Sequence, residues 1–245
     1  MSVFLTIGAV AAVLAVLVLG VCYLCFRMAF YSENPPVPEG EIPTPEGEIY
    51  DPYRDKMKKW ILEARQLPQE PGARILDLGC GTGLELEEYL SLNPTAKITG
   101  IDLSEGMLDA LRQKFQNRDI TLIQGSYFDV PMEEASFDAA VSVESLHHFT
   151  GEEKLPLYTK LRKALKPGGY FILTDYFVLS DEEERLYRQI LLDLKKEQGI
   201  DDDEFYHYDT PLTVAHETQV LLDAGFTTVE VLRNWEATYT IKAVR

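Results

Sequence analysis

Three glycines and an acid crowd into the first half of one short stretch, residues 75–90, "ILDLGCGTGLELEEYL". Asp77 closes an apolar run, and Gly79, Gly81 and Gly83 follow within seven positions. Glycine at Gly79 permits the positive φ of a tight turn. Gly81 and Gly83 lack side chains, so backbone can approach a ligand closely. A helix that begins there points its N–H groups at whatever occupies the turn. Asp102 ends a second apolar run, "KITGIDLS", about 20 residues beyond the loop. In nucleotide-binding α/β folds an acid at that spacing accepts from both ribose hydroxyls. A carboxylate suits the task because it offers two acceptor oxygens. The spacing therefore points to a nucleotide-like cofactor.

A second group of reactive side chains follows the fourth apolar run. Glu144, His147, His148, Asp175 and His207 are the candidates for a general base, a role needed only where the acceptor is protonated at neutral pH. His147 is favoured. It follows a strand at the carboxyl edge, where ligands bind in such sheets, and adjacent histidines are expected to point in different directions. The alternative is that both make only structural hydrogen bonds. No metal site is expected, because there are only four histidines and no cysteine cluster lies nearby. The stretch "DDDEFYHYDTP", residues 201–211, reads as a solvated acidic loop. Phe205, Tyr206, His207 and Tyr208 within it also suit a lid that selects the acceptor.

These residues need a sheet to hold them. "ARILDL", "KITGIDLS", "ITLIQG", "FDAAVSV" and "GYFILTDY" read as five strands, the last after a "KPGG" turn. Helical runs separate them. "TTVEVLRN" and "ATYTIKAVR" read as an antiparallel pair at the end. The expectation is an α/β, Rossmann-like seven-stranded, mostly parallel sheet with helices on both faces and a C-terminal antiparallel hairpin.

"LDLGCGTG", the acid of "GIDLS", "LKPGGYFIL" and "LLDAGF" before a final hairpin resemble the class I S-adenosylmethionine-dependent methyltransferases over about residues 72–245. The resemblance implies that Asp77, Gly79, Cys80, Gly81 and Gly83 surround the methionine part of S-adenosylmethionine. It implies that Asp102 holds the ribose, and that Leu103 and Met107 pack near the adenine. Many members carry Gly-Asp after the third strand; here "GSYFD" leaves Ser126, the Tyr127 backbone or Asp129 for that contact. Glu144 and Ser145 fall where the family lines the sulfonium and the acceptor. The implied catalytic residues are Glu144 and His147, and the implied acceptor is a small molecule or lipid. The alternatives are a non-catalytic cofactor-binding scaffold and an RNA methyltransferase.

The formal net charge of -17 repels phosphate backbones, so nucleic acid is an unlikely partner. Val3–Phe26 carries no charge; as a helix its 24 positions would reach roughly 36 Å. Residues 1–27 are therefore read as a transmembrane helix, with a cleaved signal peptide as the rival. Residues 28–50 read as a Pro/Glu-rich linker and 51–245 as the methyltransferase domain. Arg27, Arg54, Lys56, Lys58 and Lys59 follow the apolar run. They predict a single-pass membrane protein with its body in the cytoplasm.

Overall fold

The computed structural model describes residues 65–245 apart from 202, 203 and 205. The expected membrane helix, the linker and Phe205 lie outside the described residues. Among the described residues no helix is long and apolar enough to cross a membrane.

The strands are β1 Arg74–Leu78, β2 Lys97–Asp102, β3 Ile120–Gln124, β4 Phe137–Val143, β5 Leu165–Tyr176, β6 Thr228–Trp235 and β7 Thr238–Val244. The helices are α1 Leu84–Leu92, α2 Glu105–Lys114, α3 Gly151–Ala164, α4 Asp181–Gln198 and α5 Val214–Asp223. The strands form a seven-stranded sheet in the order β3-β2-β1-β4-β5-β7-β6. β1 to β5 pair in parallel and β7 pairs antiparallel with both β5 and β6. This is the expected architecture, hairpin included.

Alternation along β1 shows why helices must cover both faces. Ile75 joins one buried cluster, with Leu86, Leu90, Leu108 and Leu111 from α1 and α2. Leu76 and Leu78 join the other, with Leu157, Tyr158 and Leu161 of α3 and Leu221 of α5. A strand buried on both sides reads as an unbroken apolar run, which is what "ILDL" is apart from its acid.

The "KPGG" turn differs from expectation. It lies inside β5, which pairs at Leu165 with Phe137 and resumes at Tyr170 with Ala139. Gly168 takes φ +78°, and the extra residues form an irregularity rather than a separate turn.

Ser104, Thr150, Ser180 and Thr213 each cap a helix through the side chain, at α2, α3, α4 and α5 respectively. The cap of α1 is Gly83, with φ +70° and no side-chain hydrogen bond. The helix that opens on the glycine loop thus leaves its terminus to something other than its own cap.

Candidate functional site

The crossover between β1 and β4 makes a crevice at the carboxyl ends of β1, β2 and β4, where strand order reverses and ligands of such sheets bind. Asp102 sits at its edge. Its Oδ2 accepts from Gly81 N at 2.9 Å and its Oδ1 from Ser104 N at 2.8 Å. These two bonds aim the carboxylate before any ligand arrives. Gly81 has φ +49°, and a Cβ there would project into open space. The loop is thus open to solvent at Gly81, as the approach of a ligand to its backbone requires.

Gly79 has a different task. It takes φ +75°, and a Cβ there would collide with Ser145 Oγ. The absent side chain lets the loop after β1 touch the loop after β4. Gly79→Ala is expected to cost roughly 2–3 kcal/mol by denaturant unfolding, from left-handed strain plus overpacking. Gly72, also at φ +75° but with nothing near its added Cβ, is the control. Gly72→Ala should cost only the strain, about 1–2 kcal/mol.

Beneath the loop Asp77 is 1% exposed, and neither carboxylate oxygen has an aligned hydrogen-bond partner. Burial raises the Asp77 pKa well above the carboxylate range, and the neighbouring acids Glu85 and Asp102 push it further. Burial raises Glu85 as well. Asp77 and Glu85 interact with each other, and a positive group beside them would favour their charged forms. The α-ammonium of S-adenosylmethionine is such a group. The buried Asp77–Glu85 carboxyl pair therefore fits that cofactor, with Asp102 at its ribose.

The remaining residues named from the sequence divide. Leu103 is 65% exposed beside Asp102, available to cover a flat ring, and Met107 lies half-buried in the first turn of α2 that follows it. Cys80 is corrected: its side chain belongs to the core, with Sγ packed against Gly100, so only its backbone lines the loop. Burial raises its thiol pKa strongly, and the nearby Asp77 adds to the shift. Ser126 Oγ accepts from Phe128 N at 3.2 Å and shapes the turn after β3. The Tyr127 hydroxyl donates to Ser145 O at 3.1 Å, while its ring packs on Phe128 and Phe149. Lys160, not singled out in the sequence, donates to the carbonyls of Tyr127, Phe128 and Val130 at 2.8, 2.6 and 3.0 Å. It fixes that turn from below.

After β4 the chain bends. Glu144 takes φ +50°, a conformation that costs a non-glycine residue energy and that clusters at functional sites. His147 Nδ1 lies 2.6 Å from Asp175 Oδ1. Asp175 Oδ2 accepts from Leu146 N and His147 N at 2.8 and 3.1 Å. One buried carboxylate thus grips both the ring and the backbone of the histidine. Burial pulls the His147 pKa down, but Asp175 overrides it and pushes it up to about 9. At neutral pH the ring is a cation and a donor rather than a resting base. For His148, burial and the charge of His147 lower the pKa.

The expectation that the two histidines diverge is corrected. Strand alternation ends at Val143, and the chain closes a turn through Phe149 N to Leu146 O. The rings lie 4.0 Å apart, and His207 stacks on His148 at 4.2 Å. Both His147 and His148 reach Asp209, which sequence reasoning missed. Asp209 lies in the stretch read as a solvated acidic loop, yet its carboxylate is mostly buried.

Residues 75–169 match the family described as a methyltransferase domain. The chain is 31% identical to the sterol 24-C-methyltransferase of Gibberella zeae, over 56% of its own length and 37% of that protein. It is 30% identical to the fatty-acid O-methyltransferase of Mycolicibacterium smegmatis, over 59% of its own length and 50% of that protein. The chain spans half or less of the length of these relatives. Among solved structures it is similar to human N-acetylserotonin methyltransferase in complex with S-adenosylmethionine. There the TM-score is 0.55 at 21% identity, covering 78% of this chain and 54% of that one. The chain shares the fold of that methyltransferase.

Proposed function

We propose that the chain is an S-adenosylmethionine-dependent methyltransferase acting on a small-molecule or lipid acceptor. The observation that carries this is Asp102, aimed by Gly81 and Ser104 at a crevice whose floor holds the buried Asp77–Glu85 carboxyl pair. When bound, S-adenosylmethionine supplies a methyl group made electrophilic by its sulfonium. Asp102 would accept from the ribose hydroxyls, and Asp77, with Glu85 beside it, would receive the ammonium. Leu103 and Met107 would cover the adenine, with the Ser126–Tyr127 turn on its far edge.

The acceptor would enter at the Glu144–His148 turn. His147, fixed by Asp175, would donate from Nε2 to an acceptor oxygen, and Glu144 would lie beside the reacting atoms. Orientation of this kind can supply about 7–11 kcal/mol of a barrier without a shared catalytic base. An apolar acceptor is supported by relatives that methylate a sterol and a fatty acid. Leu179, just past β5, adds apolar surface at 74% exposure. Residues 1–27 would anchor the chain in a membrane as a single-pass helix, with 28–50 as a spacer and the body in the cytoplasm. The uncharged Val3–Phe26 run and the basic residues after it support that placement.

The full-length chain in mild detergent should bind S-adenosylhomocysteine in isothermal titration. It should then transfer labelled methyl from S-adenosylmethionine to at least one member of a panel of fatty acids, sterols and quinols. No binding of the homocysteine product would sink the cofactor reading. Binding without transfer to any acceptor would instead favour a cofactor-sensing scaffold.

A further inference from the structure

We propose that His147 Nε2, His148 Nδ1 and Asp209 Oδ1 form a binding site for one divalent cation of the zinc class. The three atoms lie within 4.8 Å of one another. Asp209 Oδ1 is 2.8 Å from His148 Nδ1 and 3.7 Å from His147 Nε2. Ligand atoms about 2.0–2.1 Å from a tetrahedral zinc ion stand about 3.3 Å apart, between those two distances. Both atoms are buried at the shorter contact, where the His148 ring and the Asp209 carboxylate attract each other. A divalent cation between them would replace that attraction, with the nitrogen and the oxygen both donating to it.

The surroundings hold these atoms in place. His147 presents Nε2 because its Nδ1 is taken by Asp175 at 2.6 Å. A carboxylate behind a ligating imidazole fixes the ring and strengthens the ligand. Asp209 is held on its other oxygen by the Tyr176 hydroxyl at 3.5 Å. The next residue, Thr210, donates its N–H to His147 O at 2.7 Å, so the loop bearing Asp209 is tied to the turn bearing the histidines. The alternative trio of Glu144, His147 and Asp175 uses groups deeper in the fold and the carboxylate already committed to His147. The proposed trio is partly open, with side-chain exposures of 10%, 17% and 19% for His147, His148 and Asp209.

Two imidazoles and one carboxylate select zinc, manganese or ferrous iron over magnesium or calcium, which prefer all-oxygen shells. Three protein ligands leave at least one position for water or for an acceptor oxygen. The ion takes the His147 Nε2 lone pair in place of a proton, so with the ion bound it is the ion, and not that N–H, that would meet an acceptor oxygen; no oxidation state changes. The site stands independently of the methyltransferase reading. Its use as a Lewis acid on an acceptor oxygen rests on that reading.

The test uses the full-length chain stripped by chelator and titrated with zinc chloride, with magnesium chloride alongside. One zinc should bind per chain, at least 100-fold tighter than magnesium. Asp209→Asn and His148→Asn should each weaken zinc at least tenfold, while His216→Ala, at an exposed histidine on α5, should leave it unchanged. Cobalt(II) on the unmodified chain should give the visible bands of a nitrogen/oxygen tetrahedral site, lost on adding zinc; this reading needs no variant to fold. S-Adenosylhomocysteine titration of the same samples separates the two proposals. Zinc binding without S-adenosylhomocysteine binding leaves the metal site standing and removes the methyltransferase reading. Absence of zinc binding, equal affinity for magnesium, or zinc retained by both site variants overturns the proposal.

Discussion

Asp102→Ala is expected to weaken S-adenosylhomocysteine binding by at least 100-fold, with unfolding free energy changed by no more than about 1 kcal/mol. The asymmetry follows from where its bonds go. In the ligand-free chain the carboxylate accepts from two backbone N–H groups, Gly81 and Ser104, both near solvent. Water replaces those partners cheaply. With ligand bound, the same carboxylate accepts from two ribose hydroxyls, and hydrogen bonds to a charged group are worth about 1.5–3 kcal/mol each. Asp102→Asn keeps one acceptor oxygen and so should lose less, roughly tenfold, which is about 1.4 kcal/mol. Titration calorimetry of the three chains gives the order directly. A parent-like affinity in Asp102→Ala would mean that the glycine loop serves another ligand.

The part of the site made by neighbours along the chain is legible in the amino-acid sequence. Gly79, Gly81 and Asp102 act through backbone conformation and through the end of one strand, and both leave their mark within about 25 residues. The sheet is equally open to reading, because strands buried on both faces are apolar without interruption. The groups that escape such reading are placed by tertiary contact. Asp209 is one acid among several in residues 201–211, and only its contacts with His147, His148 and Tyr176, distant along the chain, reveal that it faces inward. An expectation that His148 turns away from His147 carries strand alternation past the end of its strand. A turn has no such alternation, and both rings converge. Glu144 gives no hint of its positive φ, since glutamate is not a residue type that favours that conformation. Cys80 sits in a ligand loop by sequence but in the core by packing, because a loop has an inner side as well as an outer one.

The wall behind this site depends on a buried ion pair, and Glu217→Ala is expected to destabilise the chain by about 3–5 kcal/mol. Lys154 of α3 and Glu217 of α5 are 2% and 0% exposed, with Nζ and Oε2 2.6 Å apart. The Tyr158 hydroxyl donates to the other oxygen of Glu217. Removing Glu217 strands the Lys154 ammonium in an apolar cluster and leaves the Tyr158 hydroxyl without its acceptor. The cost is therefore that of the orphaned groups, not the worth of the pair. A double variant separates the two. Lys154→Met with Glu217→Leu removes both charges and keeps volume, so it should recover most of the loss in chemical denaturation. If the double variant is as unstable as Glu217→Ala alone, the loss comes from the pair itself rather than from the orphaned groups. The position makes this more than a stability question. α5 begins at Val214, shortly after Asp209, and its cap Thr213 bridges to Val178 beyond β5. Loosening the α3–α5 contact frees the segment that carries Asp209 while leaving Asp102 and the glycine loop untouched. Glu217→Ala should therefore weaken zinc binding well before it weakens S-adenosylhomocysteine binding, at temperatures where the chain is still folded.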